Sequence, residues 1–116
     1  IQIIFMNQFL IIVRGSDHST ASPEAMQKRM ELFGEWMEKV LKGRYVGGAP
    51  LEVTDARLLK SKSEVLTDGP FMESKEMISG YVIINANDIQ EATELTQQCP
   101  LLDQFQLELR RLKPMM

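Results

Sequence analysis

Two apolar, β-rich runs in this chain, residues 9–13 and 80–85, are each followed by a helix-start signal. After the first, the polar loop GSDHSTAS leads into Ser22-Pro23-Glu24. Ser22 can accept the free amides of a first turn, and Pro23 suits the first helical position, where no amide bond is lost. Glu24 complements the positive end of the helix dipole. After the second run, Asp88-Ile89-Gln90-Glu91 has the form of a capping box, with Asp88 as cap and Glu91 reaching back. Each helix is followed in turn by a strand pattern. A strand–helix–strand unit that occurs twice leaves few topologies open.

In the first helix, Met26, Met30, Phe33, Met37, Val40 and Leu41 recur at spacings of three and four. That is the apolar stripe of an amphipathic helix, which Gly43 ends. Trp36 falls beside the stripe, and Gly34 inside the helix calls for a close-packing reason. The second helix is expected to bury Ile89, Ala92, Leu95 and Cys99 and to stop at Pro100. Residues 45–53 predict a strand with a Gly-Gly bulge, with Pro50 favouring an edge position. Short extended segments follow at 57–60 and 62–66. Phe105, Leu107 and Leu109 alternate with Gln106, Glu108 and Arg110, the pattern of a half-buried strand. The order predicts an α+β, ferredoxin-like sandwich, an antiparallel sheet with both helices on one face. The other face then needs cover, and a second copy is the simplest source, so a homodimer is expected.

The 116 residues fit a single domain, 1–116. Met6 is a candidate start, which would make residues 1–5 an upstream extension. Thirteen basic against sixteen acidic residues give a net charge of −3, with no clustered basic face, so nucleic acid is not an expected partner. One cysteine, Cys99, excludes an internal disulfide framework, and with one histidine, His18, no zinc-ligand cluster can be assembled. No metal and no cofactor are expected, and a reducing, cytoplasmic setting is the simplest reading. The opening IQIIFMNQFLIIV carries Gln2, Asn7 and Gln8 and is too short to span a bilayer, so no membrane is expected either.

The candidates for chemistry are few. In LTDGPFMESKEMISGYVII, Pro70 stiffens a turn whose free amides Asp68 can accept. Glu73 and Lys75 follow on a segment that either turns a corner or forms one wall of a site. Arg14 and Arg110, at the ends of neighbouring strands, form with Tyr81 a candidate anion or carboxylate site between sheet and helix. Paired instead with Glu73 or Asp68, the arginines are salt-bridged structure. His18, beside Asp17, is the one side chain suited to acid–base work near neutral pH, though a histidine in such a loop is more often a solvated surface residue. The methionines, Met26 and Met30 among them, read as core filler.

The string DGPFMESKEMISGYVIINANDIQEATELTQQCP resembles the signature of the YCII-related family, in its DGPF-domain branch. FLIIVRG, SPEAMQKRMELFGEWMEKV, YVGGAPL and LELRRL fit the same pattern. The resemblance implies a dimeric α/β barrel, in which two ferredoxin-like protomers pack sheet to sheet. A few relatives are small enzymes that use a histidine with a nearby aspartate on or near the first helix. Here that helix has no histidine, and His18 with Asp17 lies in the loop before it. Products of this branch also resemble those encoded near extracytoplasmic-function sigma factors, but an acidic chain without a helix-turn-helix pattern gives a transcriptional role no physical support. Two functions stand: a dimeric binding or accessory domain for a small anionic or polar ligand, and a cofactor-independent lyase- or isomerase-like enzyme on a small polar metabolite.

Overall fold

Alternation along the first strand sorts its side chains into two sets. A computed structural model, which describes residues 7–15, 22–52, 54–67 and 77–114, buries Phe9, Ile11 and Val13 of β1 (Asn7–Arg14) and leaves Leu10, Ile12 and Arg14 half-exposed. β1 is central, pairing antiparallel with β5 (Ile78–Ala86) on one side and β6 (Gln106–Arg111) on the other. β2 (Tyr45–Pro50) lies outside β5, giving the order β2-β5-β1-β6. A separate hairpin, β3 (Leu58–Ser61) with β4 (Glu64–Leu66), is inserted between β2 and β5. This is the antiparallel ferredoxin-like arrangement expected from the element order. Pro50 does end an edge strand, and the register shift in β2 falls between Tyr45 and Gly47.

Register turns the sorting into a core. Phe9 sits opposite Ile84, and Ile11 opposite both Val82 and Leu109. Ala86 extends the β5 row, and Trp36, Leu41, Ala92 and Cys99 complete the core with these rows. Full burial of side chains such as Phe9, Ile11, Leu41 and Ile84 contributes roughly 1.5–3 kcal/mol each. The Cys99 thiol is pushed up to about 11 by this burial, so it stays protonated and serves as a small apolar residue.

Helix α1 (Pro23–Glu35) starts as its caps predict, with Ser22 Oγ accepting from the Ala25 amide at 3.2 Å. Its apolar stripe holds from Phe33 onward, since Phe33, Met37 and Val40 pack against the core and Leu41 is fully buried, but not before it. No residue of α1 is buried; Met26 is 54% and Met30 75% exposed, so neither is core filler. Trp36, expected beside the stripe, is 3% exposed. The reason is a turn of π-helix at Trp36–Val40, closed by the Leu41 amide donating to the Trp36 carbonyl at 3.0 Å. That wider turn resets the helical phase, so Trp36 and Leu41 both enter the core while Met26 and Met30, further upstream, stay exposed. Gly43, at φ +74°, ends the segment.

Helix α2 (Ile89–Thr96) has Asp88 as its cap, the carboxylate accepting from the Glu91 amide at 2.8 Å. Glu91 does reach back, but one residue further than the capping box requires: it accepts from the Asn87 amide at 2.9 Å and side-chain amide at 3.1 Å. Its remaining partner is Arg44, at 2.5 Å. Ala92 and Thr96 are the buried positions, whereas Ile89, expected inside, is 53% exposed. The helix stops at Thr96, and Pro100 instead opens a 3₁₀ turn, Pro100–Asp103. No described helix is long and apolar enough to cross a membrane.

Candidate functional site

Where α1 stands off the sheet, a cavity of about 490 Å³ opens between them. Its roof is one face of the helix and π turn: Met30, Phe33, Gly34 and Met37, spaced so that all four point the same way. Its floor is the β2–β5 pairing. There Gly48 lies opposite Val82, and Pro50 opposite Gly80, so the two glycines are diagonal neighbours. A Cβ on Gly48 would come 2.5 Å from the Tyr81 carbonyl oxygen, and one on Gly80 would come 3.0 Å from that of Ala49. The strands approach too closely here for side chains, which leaves the floor bare. Val13, Leu101 and Phe105 close one end, and Tyr45 also borders the space.

The volume lies in the range of small-molecule sites. The lining is almost wholly apolar and aromatic. Among the described lining residues Arg29 is the one charged side chain and Tyr45 and Tyr81 are the two that carry hydroxyls; none is His, Asp, Glu, Cys or Lys. Among the described residues, no group of three His, Cys, Asp or Glu side chains could hold a metal.

The predicted anion site takes a different form. Register and alternation place Arg14, Tyr81 and Arg110 on the sheet face away from α1, although Tyr81 also borders the cavity between sheet and helix. Tyr81 and Glu108 flank Ile12 from neighbouring strands. Glu108 pairs with both arginines, Arg14 at 3.0 Å and Arg110 at 3.3 Å, so the two guanidinium groups share one carboxylate. Asp17, His18, Asp68, Glu73 and Lys75 lie outside the described residues. The strand ends nearest to them are joined: the Gly15 amide donates to the Met77 carbonyl at 2.6 Å, and the Ser79 hydroxyl donates to the Gly15 carbonyl. Val13 and Gly80, just inside that corner, border the cavity.

Phe33, Gly34, Met37, Tyr45 and Phe105 are lining residues that sequence reasoning did not assign to a site. Two signals pointed toward them. One was Gly34, a glycine without an evident role inside a helix, and the other was the glycine pair of β2.

Comparison with solved structures returns 5-chloro-2-hydroxyhydroquinone dehydrochlorinase from Burkholderia phenoliruptrix, in complex with 2,5-dihydroxybenzoquinone. It superposes with a TM-score of 0.50 at 20% identity, over 91% of this chain and 93% of that one, a likeness that establishes the shared fold. Comparison with curated proteins gives no match. The model of the YCII-related domain matches residues 8–116, and the chain belongs to that family.

Proposed function

We propose that this YCII-related chain binds a small, mainly apolar, ring-sized molecule between α1 and the sheet. The observation that carries the reading is the cavity, with its bare glycine floor and walls of Phe33, Tyr45 and Phe105. A single-ring ligand burying about 200 Å² of apolar surface gains about 5 kcal/mol at 25 cal/mol per Å². Association costs at least about 4 kcal/mol, so apolar contact alone supports only weak binding. Tighter binding needs the polar end of the ligand at the Tyr45 hydroxyl or Arg29. An anionic or hydroxylated ring meets both requirements better than a small, wholly polar metabolite does.

A second reading is supported by the dehydrochlorinase likeness, since a chain of this fold has been solved with a ring compound bound. In that reading the molecule is a substrate, and the acid–base groups come from residues outside the described lining, with His18 and Asp17 as candidates.

Nuclear magnetic resonance titration with phenol and with 2,5-dihydroxybenzoquinone separates these outcomes. Saturable shifts in the rings of Phe33, Tyr45 and Phe105 are expected. If neither compound moves those rings at millimolar concentration, the binding reading is wrong. Turnover of the quinol precursor, lost in His18→Ala at unchanged stability, would place the enzyme reading first.

The reading includes a dimer. Leu10, Ile12, Tyr81 and Ile83 are half-exposed on the helix-free face, and a second copy packed there would remove them from water. Light scattering should give twice 13.3 kDa, and Ile12→Lys should halve it. A wild-type protein that is monomeric at micromolar concentration would refute the pairing.

A further inference from the structure

Gly34 is the one position on the cavity-facing row of α1 that has no side chain. Glycine inside a helix is less favourable than alanine, and a close neighbour is the usual compensation. Among the described residues there is no such neighbour: a Cβ built at Gly34 meets none of their atoms within 4 Å. Gly48 and Gly80 are the contrast, since backbone oxygens stand 2.5 and 3.0 Å from their Cβ positions. Nor does the backbone demand glycine, because Gly34 lies within a regular α-helical turn. What the missing side chain provides is room, between Met30, Phe33 and Met37, all of which border the same cavity.

We propose that Gly34 is a specificity-determining position, which sets the length of ligand the cavity accepts. A single ring is held by the Phe33, Tyr45 and Phe105 walls without using this space. The space above Gly34 takes the second ring, or a bulky apolar substituent, of a larger ligand. Within the ring compounds proposed above, the ligand class narrows to an extended aromatic, such as a fused bicycle or a ring with a bulky apolar substituent. The inference rests on the cavity being a small-molecule site.

The test uses phenol as the one-ring probe and naphthol as the two-ring probe, titrated into wild type, Gly34→Ala and Gly34→Leu. Thermal melts of the free proteins accompany the titrations. Gly34→Ala should raise the midpoint, because helix propensity improves and nothing is displaced. Gly34→Leu should weaken naphthol by at least about tenfold, the scale on which an apolar pocket discriminates small differences in size. Phenol affinity should be unchanged in both variants. If Gly34→Leu binds naphthol as well as wild type does, the assignment is wrong. Equal weakening of both probes would also overturn it, because Gly34 would then be general wall. If wild type binds neither probe, the small-molecule reading itself fails, and this inference fails with it.

Discussion

Trp36, the only tryptophan in the chain, ties the first helical segment to the second. It is almost fully buried, its indole N–H donates to the Leu95 carbonyl at 3.0 Å, and its ring lies 5.6 Å from that of Phe33. Replacing it with phenylalanine keeps an aromatic ring but removes the donor and part of the volume. Leu95 also accepts from the Gln98 amide at 3.3 Å, so its carbonyl keeps one partner. The lost bond therefore costs about 1 kcal/mol, below the larger penalty for a fully orphaned acceptor. The lost ring atoms leave a void in a core that cannot collapse freely, which adds about 1–2 kcal/mol. Trp36→Phe should thus destabilise by about 2–3 kcal/mol, and Trp36→Ala by more than about 4. Urea melts followed by circular dichroism measure both. A Trp36→Phe loss below about 0.5 kcal/mol, the scale of an ordinary surface change, would refute the placement of Trp36 in the core.

Gly48→Ala should cost about 1–3 kcal/mol, since its Cβ meets the Tyr81 carbonyl oxygen in backbone that must shift, whereas Gly47→Ala, with no atom near, should be close to neutral by the same melts. Asp88→Ala should cost about 1 kcal/mol through loss of the α2 cap, read as a lower midpoint with an unchanged denaturant slope. The Asn87 amide, assisted by the Arg44 guanidinium and opposed by partial burial, holds the Glu91 carboxyl below its ordinary value of 4.5. A depressed folded-state value stabilises above the unfolded value and is lost as pH falls through the folded one. Glu91→Gln should therefore cost about 1–2 kcal/mol at pH 7, and the gap should close on acidification below about pH 4.5. A gap that stays constant down to pH 3 would show that the charge of Glu91 does not stabilise the fold.

What was legible in the sequence was what is encoded locally. Ser22 and Asp88 cap their helices from three residues away. The period-two alternation of Phe9, Ile11 and Val13, and of Leu107 and Leu109, survives in the structure because each of those strands has one face against the core. Pairings across long sequence separations were not legible. Arg14 and Arg110 are correctly placed at the ends of neighbouring strands, but the face they share follows from a register that composition does not state. The cavity was hidden for the same reason, because it depends on Gly48 and Gly80 meeting diagonally across two strands. Met26 and Met30 read as core only at a constant helical period, and the period changes at Trp36–Val40.

That change of period has a consequence for how the cavity could be altered without touching its walls. At 3.6 residues per turn, removing one residue from Trp36–Val40 would rotate everything upstream by about 100° relative to Leu41. Met30, Phe33 and Gly34 would swing off the sheet together, and Trp36 would turn with them and lose its bond to the Leu95 carbonyl of α2. The aim of the helix is set by a residue count, so a single deletion there would change what the cavity faces more than any substitution in its lining.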